Sequence, residues 1–241
     1  MNYLVTVSYD GSNFHGWAKQ LNVRTVQEEI ENIIKKIFNQ NITIQCSGRT
    51  DAYVHAIGQT FSFNIKKSKI TPKTLLTALR SSGPSDIYFI KVKQVDSMFN
   101  ARFSAKNKTY QYVINTSEFD LFRANYELYY SKKINLPLWK KASKLLIGEH
   151  DFKSFSTSEL DNTIRKINSI KFQKTKTHLF ININGNGFLR NMVRMIIGSL
   201  IDLNENKKTL EDLKNLLSSP RKGSAVNKIQ AKGLYLLKVN Y

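Results

Sequence analysis

Ser47-Gly-Arg-Thr-Asp-Ala-Tyr-Val-His-Ala-Ile-Gly-Gln59 is the stretch whose reading decides the fold. Before it, Asn41 to Cys46 alternates apolar and polar residues, and after it Ile57 to Ile65 does the same. A period of two belongs to half-buried strands, so the pattern predicts two strands joined by a loop over Gly48 to His55. Loops held by a sheet are also where function concentrates. Within this loop Asp51 is the only acid between Glu31 and Asp86, and it stands two residues from Arg49. A carboxylate beside a fixed cation stays ionised and can act as a nucleophile or a base. An Asp after Gly-Arg-Thr is also suited to closing a turn on its own backbone.

Outward from the loop, Tyr3 to Tyr9 alternates as a strand that ends at the turn signal Asp10-Gly11. Thr25-Val26-Gln27-Glu28 reads as a capping box, opening a helix to about Phe38 with Val26, Ile30, Ile33, Ile34 and Ile37 on one face. Thr71-Pro72 starts a second helix that ends near Arg80, and a strand follows at about 86–95. Strand, helix, strand, strand, helix, strand is the order of a ferredoxin-like sheet with both helices on one face. The second half repeats much of it: a strand over Lys108 to Asn115, a helix over Leu138 to Ile147, and strands near 164–175 and 178–184. The turn Asn184-Gly185-Asn186-Gly187 then leads into a helix from about Phe188 to Leu203, followed by a short helix near 209–217 and a strand from Gly233 to Tyr241. Residues 116–135 have no clear period. The expected fold is α+β: two ferredoxin-like (RRM-like) units with mainly antiparallel sheets forming a cleft. The boundary falls between Asp96 and Lys108, with residues 1–102 carrying the loop and 103–241 forming the second unit.

The 241 residues suffice for one large domain or two small ones, each with a real core. With 37 basic against 18 acidic side chains the net charge is +19, which draws polyanions and makes nucleic acid the leading partner. Both halves share the excess: residues 1–105 hold 13 basic and 7 acidic residues, residues 106–241 hold 24 and 11. Cys46 is the only cysteine, which excludes an internal disulfide and a thiolate metal cluster and fits a reducing compartment. The chain opens directly on a strand and has no apolar run of about 18 residues, so a soluble, cytoplasmic protein with no membrane partner is expected.

Two further blocks could carry chemistry. The helix predicted from Phe188 is apolar nearly all round, so it should be buried, yet Arg190 and Arg194 stand on it four residues apart and hence on one face. A buried guanidinium needs an anion: a phosphate, or an acid such as Asp51, unless its tip reaches solvent. Phe99-Asn100-Ala101-Arg102-Phe103-Ser104-Ala105 leads through Lys106 and Lys108 to Tyr110-Gln111-Tyr112. Rings interleaved with cations suit unpaired bases and phosphates, although a strand can use the same tyrosines to fill a core. His15, His55, His150 and His178 have no metal-ligand spacing, and no glycine-rich phosphate loop is present, so neither a metal nor a nucleotide cofactor is expected.

Gly48-Arg49-Thr50-Asp51-Ala52, followed by Val54-His55-Ala56 and Gly58-Gln59, resembles the signature loop of the TruA-type tRNA pseudouridine synthases. Asn186-Gly-Phe-Leu-Arg-Asn-Met-Val-Arg194, with Ile197-Gly198-Ser199-Leu200, is similar to a second motif of that family. Weaker matches run in the family's order from Tyr9-Asp10-Gly11 and Gly16-Trp17, through Gly148-Glu149-His150-Asp151-Phe152, to Gly233-Leu234-Tyr235-Leu236. The resemblance implies a cofactor-independent isomerase that converts uridine to pseudouridine at positions 38, 39 and 40 of the tRNA anticodon arm. It implies Asp51 as the catalytic residue, Arg194 as its ion-pair partner, Tyr110 stacked on the target uracil and Arg49 at the place the flipped base vacates. Arg102 and Arg190 are expected to bind substrate, and the enzyme to be a homodimer. The family usually has Gly where this chain has Tyr53, a residue type suited to positive φ. A noncatalytic RNA-binding protein of two ferredoxin-like units would need the charge and the rings but not Asp51. A metal-dependent nuclease would need clustered carboxylates, and the sequence shows none.

Overall fold

The computed structural model describes residues 1–66 and 69–241. In chain order the elements are β1 (Asn2–Tyr9), α1 (Val26–Phe38), β2 (Gln45–Cys46), β3 (His55–Asn64), α2 (Pro72–Ser82), β4 (Ile87–Val95), β5 (Asn107–Asn115), β6 (Leu128–Tyr129), α3 (Leu136–Leu146), β7 (Gly148–Asp151), β8 (Ile164–Lys174), β9 (His178–Gly185), α4 (Met192–Asn204), α5 (Leu210–Ser218) and β10 (Leu234–Asn240). The protein is α+β with mostly antiparallel strands, in two compact units: residues 1–106 with 235–241, and residues 107–234.

The first unit has strand order β4-β1-β3-β10, with β2 beside β3. β1 runs antiparallel to both β3 and β4, and β10 joins β3 in parallel at Tyr235 opposite His55. Alternation along β1 buries Tyr3, Val5, Val7 and Tyr9 on one face, as the period of two requires. α1 buries Val26, Ile30, Ile33 and Ile34. The central strand β3 is buried on both faces: Phe61 and Phe63 lie in the core, while Ser62 Oγ accepts from Ala101 N–H at 2.9 Å and Thr60 Oγ1 lies 2.6 Å from the Tyr241 hydroxyl.

Two local expectations fail here for stated reasons. The strand expected over Asn41 to Cys46 shrinks to Gln45–Cys46, because the Ile44 N–H donates to the Glu31 carboxylate of α1 (3.0 Å) instead of to a strand. The capping box at Thr25 does not form, and Thr25 Oγ1 is buried without a hydrogen bond. Backbone carbonyls take the first two N–H groups of α1 instead: Val26 N–H donates to Gly16 O (3.2 Å) and Gln27 N–H to Trp17 O (2.9 Å).

The second unit has strand order β5-β9-β8-β7, all antiparallel, with β6 parallel to β5. α3 packs on α4 and β8, and Trp139 is fully buried. α4 is buried from Met192 to Leu203, Arg194 excepted, and α5 opens on a true capping box between Thr209 and Asp212. The helix expected from Phe188 begins only at Met192, since Asn191 sits in the left-handed region at φ 65°.

Candidate active site

The loop from Ser47 to Val54 is held from below, behind and both ends. Beneath it the Thr50 and Tyr9 hydroxyls lie 2.7 Å apart, both residues buried. Burial pushes the Tyr9 phenol well above its ordinary pKa, and hydrogen bonds with Thr50 and Gln59 pull the other way, so Tyr9 stays protonated and neutral. From behind, Trp17 N–H donates to Thr50 O (3.0 Å) and Tyr53 N–H to Phe14 O (3.2 Å). Gly16 takes a φ of 95°, and a Cβ there would lie 2.8 Å from Thr50 O, so only glycine lets the Gly16-Trp17 segment approach so closely. Since the start of α1 grips that same segment, the helix, the Gly16-Trp17 segment and Thr50 form one continuous support. At the entrance, Gln59 takes Ser47 Oγ–H (2.8 Å) and gives to Gly48 O (2.8 Å). At the exit, Gly11 N–H donates to His55 Nδ1 (3.0 Å), and the His55 ring stacks on Tyr235 at 4.7 Å.

This frame presents the half-buried Asp51 between the buried Thr50 and Val54, with Val54 N–H returning to Asp51 O at 3.3 Å. Tyr53 has a φ of 65°, so a tyrosine here occupies the left-handed conformation that glycine adopts most readily. Arg49 is exposed on the same loop. Arg102, also exposed, lies on a turn closed by Asn100 Oδ1, which accepts from Arg102 N–H at 2.9 Å; its guanidinium sits 5.5 Å from the Phe103 ring centre.

In the second unit Tyr110 is buried on β5 and meets Phe188 edge to face at 5.1 Å. Arg194, half-buried on α4, donates through Nε to Ile229 O (2.8 Å) and through Nη1 to Asn191 Oδ1 (3.0 Å). Its charge opposes the burial that raises the Tyr112 phenol pKa. The Ile229 carbonyl is in place because the neighbouring segment docks on α4: Asn227 Nδ2 donates to Asp202 Oδ1 (2.7 Å) and Gly198 O (3.2 Å). Arg190 departs from expectation. It precedes α4, is exposed, and does not share a helix face with Arg194, because the left-handed Asn191 separates the two. Thus Asp51, Arg49 and Arg102 belong to the first unit, and Tyr110, Arg190 and Arg194 to the second. Thr50, Gly16 and Asn191 lie within the motifs quoted from the sequence, but the supporting contacts that they and Ile229 make leave no sequence signal, since these are mostly backbone or small polar groups. Among the described residues no group of three or more His, Cys, Asp or Glu side chains could hold a metal, and no helix is long and apolar enough to cross a membrane.

A family model described as tRNA pseudouridine synthase matches residues 5–104 and 142–241. The chain belongs to the tRNA pseudouridine synthases. It is 52% identical over 242 residues to a tRNA pseudouridine synthase A of Ureaplasma parvum, covering all of both chains. Enzymes of the same name from Malacoplasma penetrans (47% identity, all of both chains) and Thermosipho melanesiensis (39%, 98% of each) are similarly matched. Membership makes this pseudouridine synthase an isomerase acting on uridine in tRNA, and the family match includes both the Asp51 loop and α4.

Proposed function

We propose that the protein converts uridines 38, 39 and 40 of the tRNA anticodon arm to pseudouridine, with Asp51 as the catalytic carboxylate. The observation that carries this reading is the Asp51 loop itself: a half-buried acid on a backbone fixed at Thr50, Tyr53 and Val54. A rigid support of this kind suits a group that must meet a reacting atom within fractions of an ångström. The bond from C1′ to N1 breaks, the uracil turns, and C1′ bonds to C5. C5 loses its proton and N1 gains one, so the reaction is redox-neutral and needs no cofactor. Asp51 acts as nucleophile or base. Tyr110 stacks on the uracil once it leaves the helix, Arg194 pairs with Asp51, Arg49 holds the vacated place, and Arg102 and Arg190 bind phosphates. In this reading the two units are ferredoxin-like, the first bearing the catalytic loop and the second Tyr110 and Arg194, in a cytoplasmic homodimer whose +19 charge per chain draws tRNA.

Tritium release from tRNA labelled with 5-³H-uridine tests the chemistry. The unaltered chain is expected to release tritium, and Asp51→Asn to lose on the order of 10³-fold or more in single-turnover rate while still binding tRNA. Equal release by both proteins would remove Asp51 from the chemistry. Binding without release by either would favour a noncatalytic RNA-binding protein. Transcripts bearing a single uridine at 38, 39 or 40 test the positions, and light scattering tests the dimer.

A further inference from the structure

The mechanism leaves unused a chain of polar contacts from the Ser156–Ser158 segment to Arg194. Asn191 Nδ2 donates to Thr157 Oγ1 at 2.8 Å, and Asn191 Oδ1 accepts from Arg194 Nη1 at 3.0 Å. A guanidinium only donates, so the Asn191 oxygen must face Arg194 and its amide nitrogen must face Thr157, whose hydroxyl accepts. The amide can therefore serve both partners in one orientation only. Further bonds keep the segment in place: Thr157 N–H and Ser156 Oγ–H both reach Arg190 O (3.4 Å each), and Arg190 N–H reaches Ser158 Oγ (3.3 Å). Asn is also among the few side chains that accept the left-handed φ of 65° at position 191, where the chain turns into α4.

We infer that Asn191 and Thr157 are positioning residues for the uridine isomerisation: they fix the rotation of the Arg194 guanidinium about its long, flexible side chain. The inference rests on the proposed role of Arg194. With Nε on Ile229 O and Nη1 on Asn191 Oδ1, the guanidinium is held at two separate nitrogens, and the plane of the group is thereby set. A guanidinium held in one plane can meet a carboxylate in one direction, as their planar pairing demands. Neither Asn191 nor Thr157 needs to touch the tRNA.

The test uses the full chain and tritium release under single-turnover conditions, with tRNA affinity and thermal midpoint measured in parallel. Thr157→Val keeps the shape and deletes the hydroxyl, and Asn191→Gly keeps the left-handed backbone and deletes the amide. Each is expected to slow release by about tenfold, the consequence of losing one oriented hydrogen bond, with tRNA affinity changed by less than about twofold. Thr157→Ser restores the hydroxyl and is expected to recover the rate to within about threefold of the unaltered chain. Because the two residues act in series, the double variant should be no slower than Asn191→Gly. Thr157→Val and Asn191→Gly proteins that lose thermal midpoint but release tritium at the unaltered rate would overturn the inference. So would failure of Thr157→Ser to recover the rate. Arg194→Ala separates the two layers: if it leaves the rate intact, the role of Arg194 fails first, and if it abolishes release while the other variants do nothing, only the positioning role fails.

Discussion

The hydroxyls of Tyr9 and Thr50 meet at 2.7 Å beneath the loop that carries Asp51, joining the last residue of β1 to the residue that precedes the acid. Tyr9→Phe removes the partner of a buried Thr50 hydroxyl without changing the ring's packing against Phe14 and Trp17. The expected cost is about 1 to 2 kcal/mol of folding stability, that of a buried hydroxyl left unpaired. Urea denaturation should show a lower midpoint with an unchanged slope. The rate of tritium release should fall as well, because the Asp51 backbone loses its support from below; an unchanged rate would mean that the Trp17 and Phe14 contacts suffice.

Tyr53 holds a φ of 65°, in the left-handed region, at a position where the resemblance to the family leads one to expect glycine. A non-glycine residue in the left-handed region costs about 1 to 2 kcal/mol, whereas glycine adds about 0.5 to 1 kcal/mol of chain entropy to be lost. Tyr53→Gly should therefore stabilise the protein by roughly 0.5 to 1 kcal/mol, less whatever the exposed ring gains from His15 at 6.0 Å. Tyr53→Val should destabilise it, since a β-branched residue tolerates that φ least. Thermal midpoints in the order Gly, Tyr, Val from highest to lowest are the expected result.

Where the chain's own side chains set the backbone, the sequence was readable. The alternation in β1, the apolar face of α1 and the loop between β2 and β3 follow from residue types that have one good place to go. The errors arise where a partner distant in sequence decides. Glu31 takes the Ile44 N–H, and the Gly16 and Trp17 carbonyls take the first N–H groups of α1, whereas Asn191 acts locally and postpones α4 by leaving the right-handed region. That last event moved Arg190 off the helix while leaving Arg194 on it. Short β7 has no strand signal of its own, since Gly148–Asp151 is a strand only by virtue of pairing with β8.

The Tyr241 phenol is pushed up to about 12, chiefly by burial, with the Thr60 hydrogen bond opposing and Cys46 adding a smaller upward push. Its neutral form is the one the fold uses, because the hydroxyl donates to Ala101 O at 3.0 Å. In the unfolded chain a tyrosine releases its proton near 10. Between pH 10 and 12 the unfolded state therefore holds fewer protons than the folded one, and stability falls as pH rises. It is fully present below pH 10. Buried Tyr9 and Tyr112 shift in the same direction, so the unaltered chain should lose stability steeply above pH 10. Tyr241→Phe should make that fall shallower by up to one proton's dependence. Denaturant midpoints measured from pH 9 to 12 would show it, and identical slopes for the two proteins would place the Tyr241 hydroxyl in contact with solvent.

Gly198 connects the core of the second unit to the Arg194 guanidinium. A Cβ built there would lie 1.9 Å from the backbone carbonyl of Asn227, closer than any real contact, so the 225–229 segment rests directly on the bare backbone of α4. Gly198→Ala must lift that segment, and the Ile229 carbonyl that accepts from Arg194 Nε lifts with it. Overpacking of this kind costs about 1 to 3 kcal/mol. A lower thermal midpoint is expected together with slower tritium release at temperatures where the variant is fully folded. Because the obstructing atom belongs to the backbone, truncating the Asn227 side chain offers no relief: Asn227→Ala alone loses the bonds to Asp202 and Gly198 O, and the double variant should be no more stable than Gly198→Ala. Recovery of stability in the double variant would show that the side chain, not the carbonyl, sets the fit.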